Sequence, residues 1–444
     1  MTSNGTDDPR GDFIRASFWH GSLDRANAIL AVHPAIATAD IHTAAILGDA
    51  AAVQRFLATN PANATAKSAP LDMDALTHLC FSTYLQRDRA RSDGFVRAAR
   101  ALLAAGASAN TGFWDNTHKP DPEWEPVLYG AAGVAHHADM TQLLLERGAN
   151  PNDIEVVYHS PETTDNAALK LLVETGRITP ENLSLMLVRK HDWHDYEGVK
   201  YLLEHGADAN VERCPWRPLN HAIRRDNDVE IIELLLDHGV DPTLTEKGVS
   251  GVSLAARRGR RDILDAFERR GIRIELQDIE RLIAACARHD DAAIREIVER
   301  EPARARELLA EGGKLLAEFA GTANTEGVRR LLDLGVPIDA LYDGDPYFGI
   351  VKDSTALHVA AWRAWHATVK FLIERGAPLD AKDAGGRTPL MLAVSATVDS
   401  YWKYRRKPDS IEALLCAGAS IDGVKYPSGY AEADALLRAH GARG

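Results

Sequence analysis

The chain has 444 residues, 45% of them hydrophobic, and a formal net charge of −13. That composition suits a folded protein large enough for more than one domain, and its acidity argues against general attraction to nucleic acid or to an anionic membrane surface. No stretch approaches 18 uninterrupted apolar residues, so no membrane span is expected.

In chain order, the opening MTSNGTDDPRGD is polar and acidic, without the basic start and apolar run of a signal peptide. A disordered tail over residues 1–10 and a cytoplasmic location are expected. Two degenerate helix-pair patterns follow, FIRASFWHGSLDRANAILAVHPA from Phe13 and IHTAAILGDAAAVQRFLATNPA from Ile41. They end in His-Pro and Asn-Pro. From Leu102 onward a different ending takes over, two apolar residues and then Gly-Ala or a relative of it. It recurs as LLAAGASAN, LLLERGANPN, YLLEHGADAN, ELLLDHGVDPT, LLDLGVPIDA, FLIERGAPLDA and LLCAGASIDG. The turn glycines are Gly106, Gly148, Gly176, Gly206, Gly239, Gly271, Gly335, Gly376 and Gly418, at separations clustering near 33. One separation, 64, hides a degenerate copy ending at REPARA.

Each unit carries two short apolar patterns at helical spacing. The first holds small residues such as Ala360 and Ala361, and the second holds bulkier ones such as Val369, Leu372 and Ile373. One such pair cannot bury its own apolar face; a stack can. The four cysteines, Cys80, Cys214, Cys286 and Cys416, lie far apart with no C-x-x-C pair. They read as free, mostly buried thiols of a reducing compartment.

With this period, STALHVAA from Ser354 and RTPLMLA from Arg387 resemble the opening of the ankyrin repeat, and RPLNHAI from Arg217 and SLAARRG from Ser253 match it in part. The resemblance implies an all-α solenoid of about twelve helix-turn-helix units with finger loops, spanning 11–428, and a capping helix over 429–444. It also implies a structural role for His358. Such proteins bind partners with their concave face and fingers, so the expected function is that of a non-enzymatic scaffold for a protein partner.

Four insertions interrupt the period. Thr111–Val127 and Ala340–Ser354 fall in finger loops; Ser82–Asp93 and Val398–Ser410 fall between paired helices. They are rich in Trp, Tyr, Arg and Asp. Trp114, Trp124, Tyr347 and Phe348 are candidate contact residues, since aromatic and Arg anchors dominate binding surfaces; the alternative is that they fold back over neighbouring repeats. At the two positions after the small pair stand Arg189-Lys190, Arg224-Arg225, Arg257-Arg258, Ala287-Arg288, Gly321-Thr322 and Trp362-Arg363. Lys190, Arg225, Arg258 and Arg288 recur about once per repeat, so stacking would align them in a row facing an acidic partner segment. Arg224, Arg257, Trp362 and Arg363 extend that candidate surface. The competing explanation is that cations near a helix C-terminus complement its dipole.

His191 and His194 are weak metal candidates, because a zinc site needs a third ligand. His136-His137 sits at the equivalent turn. No phosphate loop and no G-x-S-x-G turn is present, and no cofactor is expected. Two alternatives stay open, an active site of His and Asp side chains assembled in the groove, and a site for an anionic ligand or nucleic acid on the arginine row.

Overall fold

The computed structural model describes residues 8–117, 120–212 and 216–443. Cys214 and most of the expected tail lie outside them. The first helix already begins at Pro9, two residues before the expected start of order, and Arg10 within it pairs with Asp40 at 2.5 Å.

The chain forms two compact units, 1–240 and 241–444. Among the described residues, unit 1 stacks seven helix pairs, from Pro9–Ser17 with Leu23–Val32 to Pro218–Arg224 with Val229–Asp237. Unit 2 stacks five, from Gly251–Arg257 with Arg261–Arg269 to Pro389–Asp399 with Asp409–Cys416, and the helix Ala431–Ala439 follows. Twelve pairs is the number expected from the period.

The pair at Ala356–Trp362 and His366–Glu374 illustrates why this sequence folds so. Thr355 opens the first helix, and its backbone N–H donates to His358 Nδ1 at 3.1 Å. His358 Nε2 bonds the Arg387 carbonyl of the next unit at 3.0 Å. Ala360 and Ala361 are fully buried, so small side chains let neighbouring helices close up. Val369 and Leu372 seal the other side. Gly376, at φ 83°, ends the second helix in a conformation that a β-carbon would strain. All nine recurring turn glycines have positive φ, from 65° to 105°. In the first two pairs, Pro34 and Pro61 instead start short 3-10 turns.

The insertions fall where the broken period places them. Thr111–Val127 contains an antiparallel hairpin, Gly112–Asp115 with Glu123–Pro126. Two features were not expected. The residues 130–134 form a π-helical turn, and a surplus helix, Pro302–Ala310, follows the degenerate pair Asp278–Arg288 and Asp291–Arg300. REPARA therefore ends one pair and begins an extra helix. Cys80 and Cys286 are buried and Cys416 is exposed. No described helix is long and apolar enough to cross a membrane.

Candidate protein-interaction site

The cations expected to form an open row are largely engaged within the chain. In unit 1, Lys190 is fully buried, its Nζ 2.8 Å from Asp195 Oδ2 and donating to the carbonyls of Pro161 and Thr163. Burial lowers its pKa while Asp195 opposes the shift. Arg189 pairs with Glu162 at 2.5 Å and with Asp192, and lies 4.0 Å over the Tyr158 ring. Arg225 Nε reaches the same Asp192 at 2.5 Å, and His221 Nε2 meets it at 2.8 Å. Burial raises the Asp192 pKa, yet His221 and the two guanidinium groups hold it well below the carboxylate range. Arg224 is half-buried.

Unit 2 repeats the pattern. Arg257 bridges Glu280 at 2.5 Å and Glu311 at 2.6 Å. Arg258 is buried and 3.0 Å from Glu318. Arg288 pairs with Glu268. Lys190, Arg258 and Arg363 are thus corrected as contact candidates. Their side chains lie inside the fold, and several of the row's cations neutralise a carboxylate of a neighbouring repeat.

Two of the aromatic insertions do converge, in unit 2. The finger loop 340–354 closes on itself through Tyr342 N to Ser354 O at 2.8 Å and the Asp345–Ile350 bridge. The segment 400–408 packs against it. Arg363 is sandwiched, its guanidinium carbon 4.0 Å from the ring centroids of both Phe348 and Trp402. Trp362 Nε1 donates to the Phe348 carbonyl at 2.6 Å. Arg405 stacks on Trp365 at 3.6 Å, and Trp365 Nε1 donates to the Gly321 carbonyl at 2.7 Å. His366 ties the segment down through Ser410 Oγ at 2.7 Å and the Arg405 carbonyl at 3.1 Å. On this base stand three open tyrosines, Tyr347 at 43% exposure, Tyr401 at 50% and Tyr404 at 68%. Lys403 and Lys407 are exposed beside them, and Arg405 and Arg406 are half-buried.

Of the candidates from sequence, Tyr347, Phe348, Trp362 and Arg363 meet here. Trp114 and Trp124 do not; they form a cross-strand pair 5.2 Å apart on the unit 1 hairpin. Tyr401, Trp402, Tyr404 and Arg405 were not singled out, although the insertion carrying them was. A polar cluster in unit 1 was missed as well. His159 sits between Glu155 at 3.2 Å and Glu162 at 3.0 Å, close to the buried Glu125. Glu155, His159 and Glu162 lie within one repeat at i, i+4 and i+7, whereas Glu125 comes from the hairpin before it, so only that junction is hidden from the local sequence.

His191 is buried, and its ring pKa is pushed down to about 3 by that burial. His194 ends a 3-10 turn at φ 49°. Among the described residues no three His, Cys, Asp or Glu side chains are grouped so as to hold a metal ion. His137 caps the helix Ala138–Glu146, accepting from Met140 N at 3.2 Å.

The family model for ankyrin repeats matches three times, over 162–246, 185–278 and 316–424, together just over half of the chain. The chain is 29% identical over 334 residues to an ankyrin repeat domain-containing protein of Stachybotrys chartarum, covering 72% of this chain and 14% of that protein. It is 38% identical over 117 residues to serine/threonine-protein kinase 12 of Arabidopsis thaliana, covering 26% of this chain and 21% of the kinase. The chain spans only about a fifth or less of the length of these curated relatives. The ankyrin repeat domain of Bcl-3 aligns at 20% identity and a TM-score of 0.23, over 53% of this chain and 98% of that one.

Proposed function

Since the chain belongs to the ankyrin-repeat family, we propose that it is a non-enzymatic scaffold and that the aromatic platform of unit 2 seats a protein partner. The observation that carries this reading is the contrast between the platform's base and its top. Trp402 and Arg363 are locked by stacking, while Tyr347, Tyr401 and Tyr404 project from them into solvent. Tyrosine and arginine are favoured anchors at binding surfaces. An anchor already held in place loses little conformational freedom on binding.

The partner's contact segment is acidic. The segment YWKYRRK, over 401–407, carries four cations in a chain of net charge −13, so its field selects against the chain's own surface and for carboxylates. The buried thiols Cys80 and Cys286 suit a cytoplasmic setting.

The test is a photo-crosslinking amino acid at position 404, with captured proteins identified by mass spectrometry and their affinities measured. The Tyr401→Ala, Tyr404→Ala double variant is expected to weaken the captured partner at least tenfold, and Trp114→Ala with Trp124→Ala to leave it unchanged. Added salt should weaken the wild-type complex. An affinity indifferent to the tyrosines would end this assignment.

A further inference from the structure

The finger hairpin of unit 1 has two unlike faces. Phe113 lies opposite Glu125 and Asp115 opposite Glu123, while Trp114 opposes Trp124 between them. Side chains alternate along a strand, so the tryptophans share one face and Phe113 and Glu125 the other. The tryptophan face is open, with Trp114 at 59% exposure. The Phe113 face is docked, its ring 5.2 Å from Phe18, 5.9 Å from Trp19 and 5.0 Å from Phe81.

Glu125 is the anomaly of that docked face. It is 1% exposed, and its Oε2 has no hydrogen-bond partner. The charged groups around it are Asp115 and Glu123 of its own hairpin and Glu155 and His159 of the helix Ile154–His159. Tyr129 faces it from the helix that follows the hairpin, and Glu162 lies next to His159. The one cation in this set, His159, is already held by Glu155 and Glu162. A buried carboxylate without a donor, among three other carboxylates, is strongly disfavoured, whereas a neutral carboxyl is tolerated.

We propose that the hairpin is an acid-latched finger, docked on the neighbouring repeat while Glu125 is neutral and released when Glu125 ionises. Release would swing the Trp114–Trp124 pair away from its present position. The device is independent of the unit 2 platform. Burial first, then repulsion from Glu155, Asp115 and Glu123, pushes the Glu125 pKa up to about 8 from its ordinary 4.5. An acid whose docked pKa lies above its free value favours docking fully below the free value, and that support is lost as pH rises toward the docked value. The open-to-docked ratio therefore grows about tenfold per pH unit between those limits and levels off above them. His159, held charged up to about pH 9 by its two carboxylates against the effect of burial, titrates later.

The test is amide hydrogen exchange of the residues 112–115 and 123–125 in the full chain between pH 5 and 9.5, corrected for intrinsic exchange rates. Wild type should lose protection about tenfold per pH unit up to pH 8 and then level off; Glu125→Gln should stay protected throughout. Identical profiles would overturn the latch, as would loss of protection in a folded Glu125→Gln protein at every pH. If Glu125→Gln does not fold, Glu155→Gln decides. Removing that neighbouring charge should bring the plateau to lower pH, and an unmoved plateau overturns the proposal.

Discussion

Lys190 and Arg363 are cations with almost no access to water, and each is stabilised differently. Lys190 depends on a single carboxylate, Asp195, which also accepts from Asn166 Nδ2 at 2.7 Å and from the Gly198 N–H at 3.2 Å. Deleting one partner of a buried pair leaves the other charge uncompensated, at about 3–5 kcal/mol. Asp195→Ala should therefore destabilise unit 1 by that amount in urea unfolding. Lys190→Met should cost less, because Asp195 keeps its two other donors. Arg363 depends on ring faces rather than on a charge partner alone. Arg363→Lys keeps the charge and loses the planar stack between Phe348 and Trp402. Its expected signature is faster amide exchange over 400–408 and weaker partner binding, with little change in unit 1.

At the scale of the element, the turn glycines separate backbone strain from packing. A β-carbon at Gly376 would meet nothing within 4 Å, whereas one at Gly259 would lie 2.7 Å from the Phe319 ring, and both residues have positive φ. Gly376→Ala should cost about 1 kcal/mol of backbone strain, and Gly259→Ala clearly more; differential scanning calorimetry would compare the two. These turns were readable in the sequence because a left-handed helix end needs a particular residue type at a fixed spacing. The insertions were readable because they break that spacing. The helix Pro302–Ala310 was not, because no turn glycine separates it from Gly312–Gly321 and it buries only Leu308 fully. The cation row was visible as a spacing, but the fate of each cation was not. Glu162, Asp192 and Glu280 lie on other helices or turns, so the ion pairs exist only once repeats stack. The platform was half visible. Tyr347 and Phe348 stood out, but nothing local showed that Trp402 would pack against the same finger.

At the scale of the whole molecule, stability comes from contacts between adjacent pairs, so each unit is close to a one-dimensional array. Two buried histidines make unit 1 sensitive to acid. Burial pushes the ring pKa of both His78 and His191 down to about 3 from 6.5. The unfolded chain takes up protons that the folded one refuses, so stability is lost as pH falls from 6.5 toward 3. The Tm of unit 1 should drop across that window, and His78→Leu should flatten part of the drop; an equally steep fall in that variant would exclude His78 as the cause. This is a global loss on the acid side, opposite in sign to the local release of the hairpin on the alkaline side.

The pairing of Arg189 with Glu162, of Arg225 with Asp192 and of Arg330 with Asp291 also bears on how such a chain can change length. Each of these three seams is keyed by its own lock of opposite signs. A unit duplicated in place would meet a lock cut for someone else, so growth of this chain requires matched changes on both sides of the new seam.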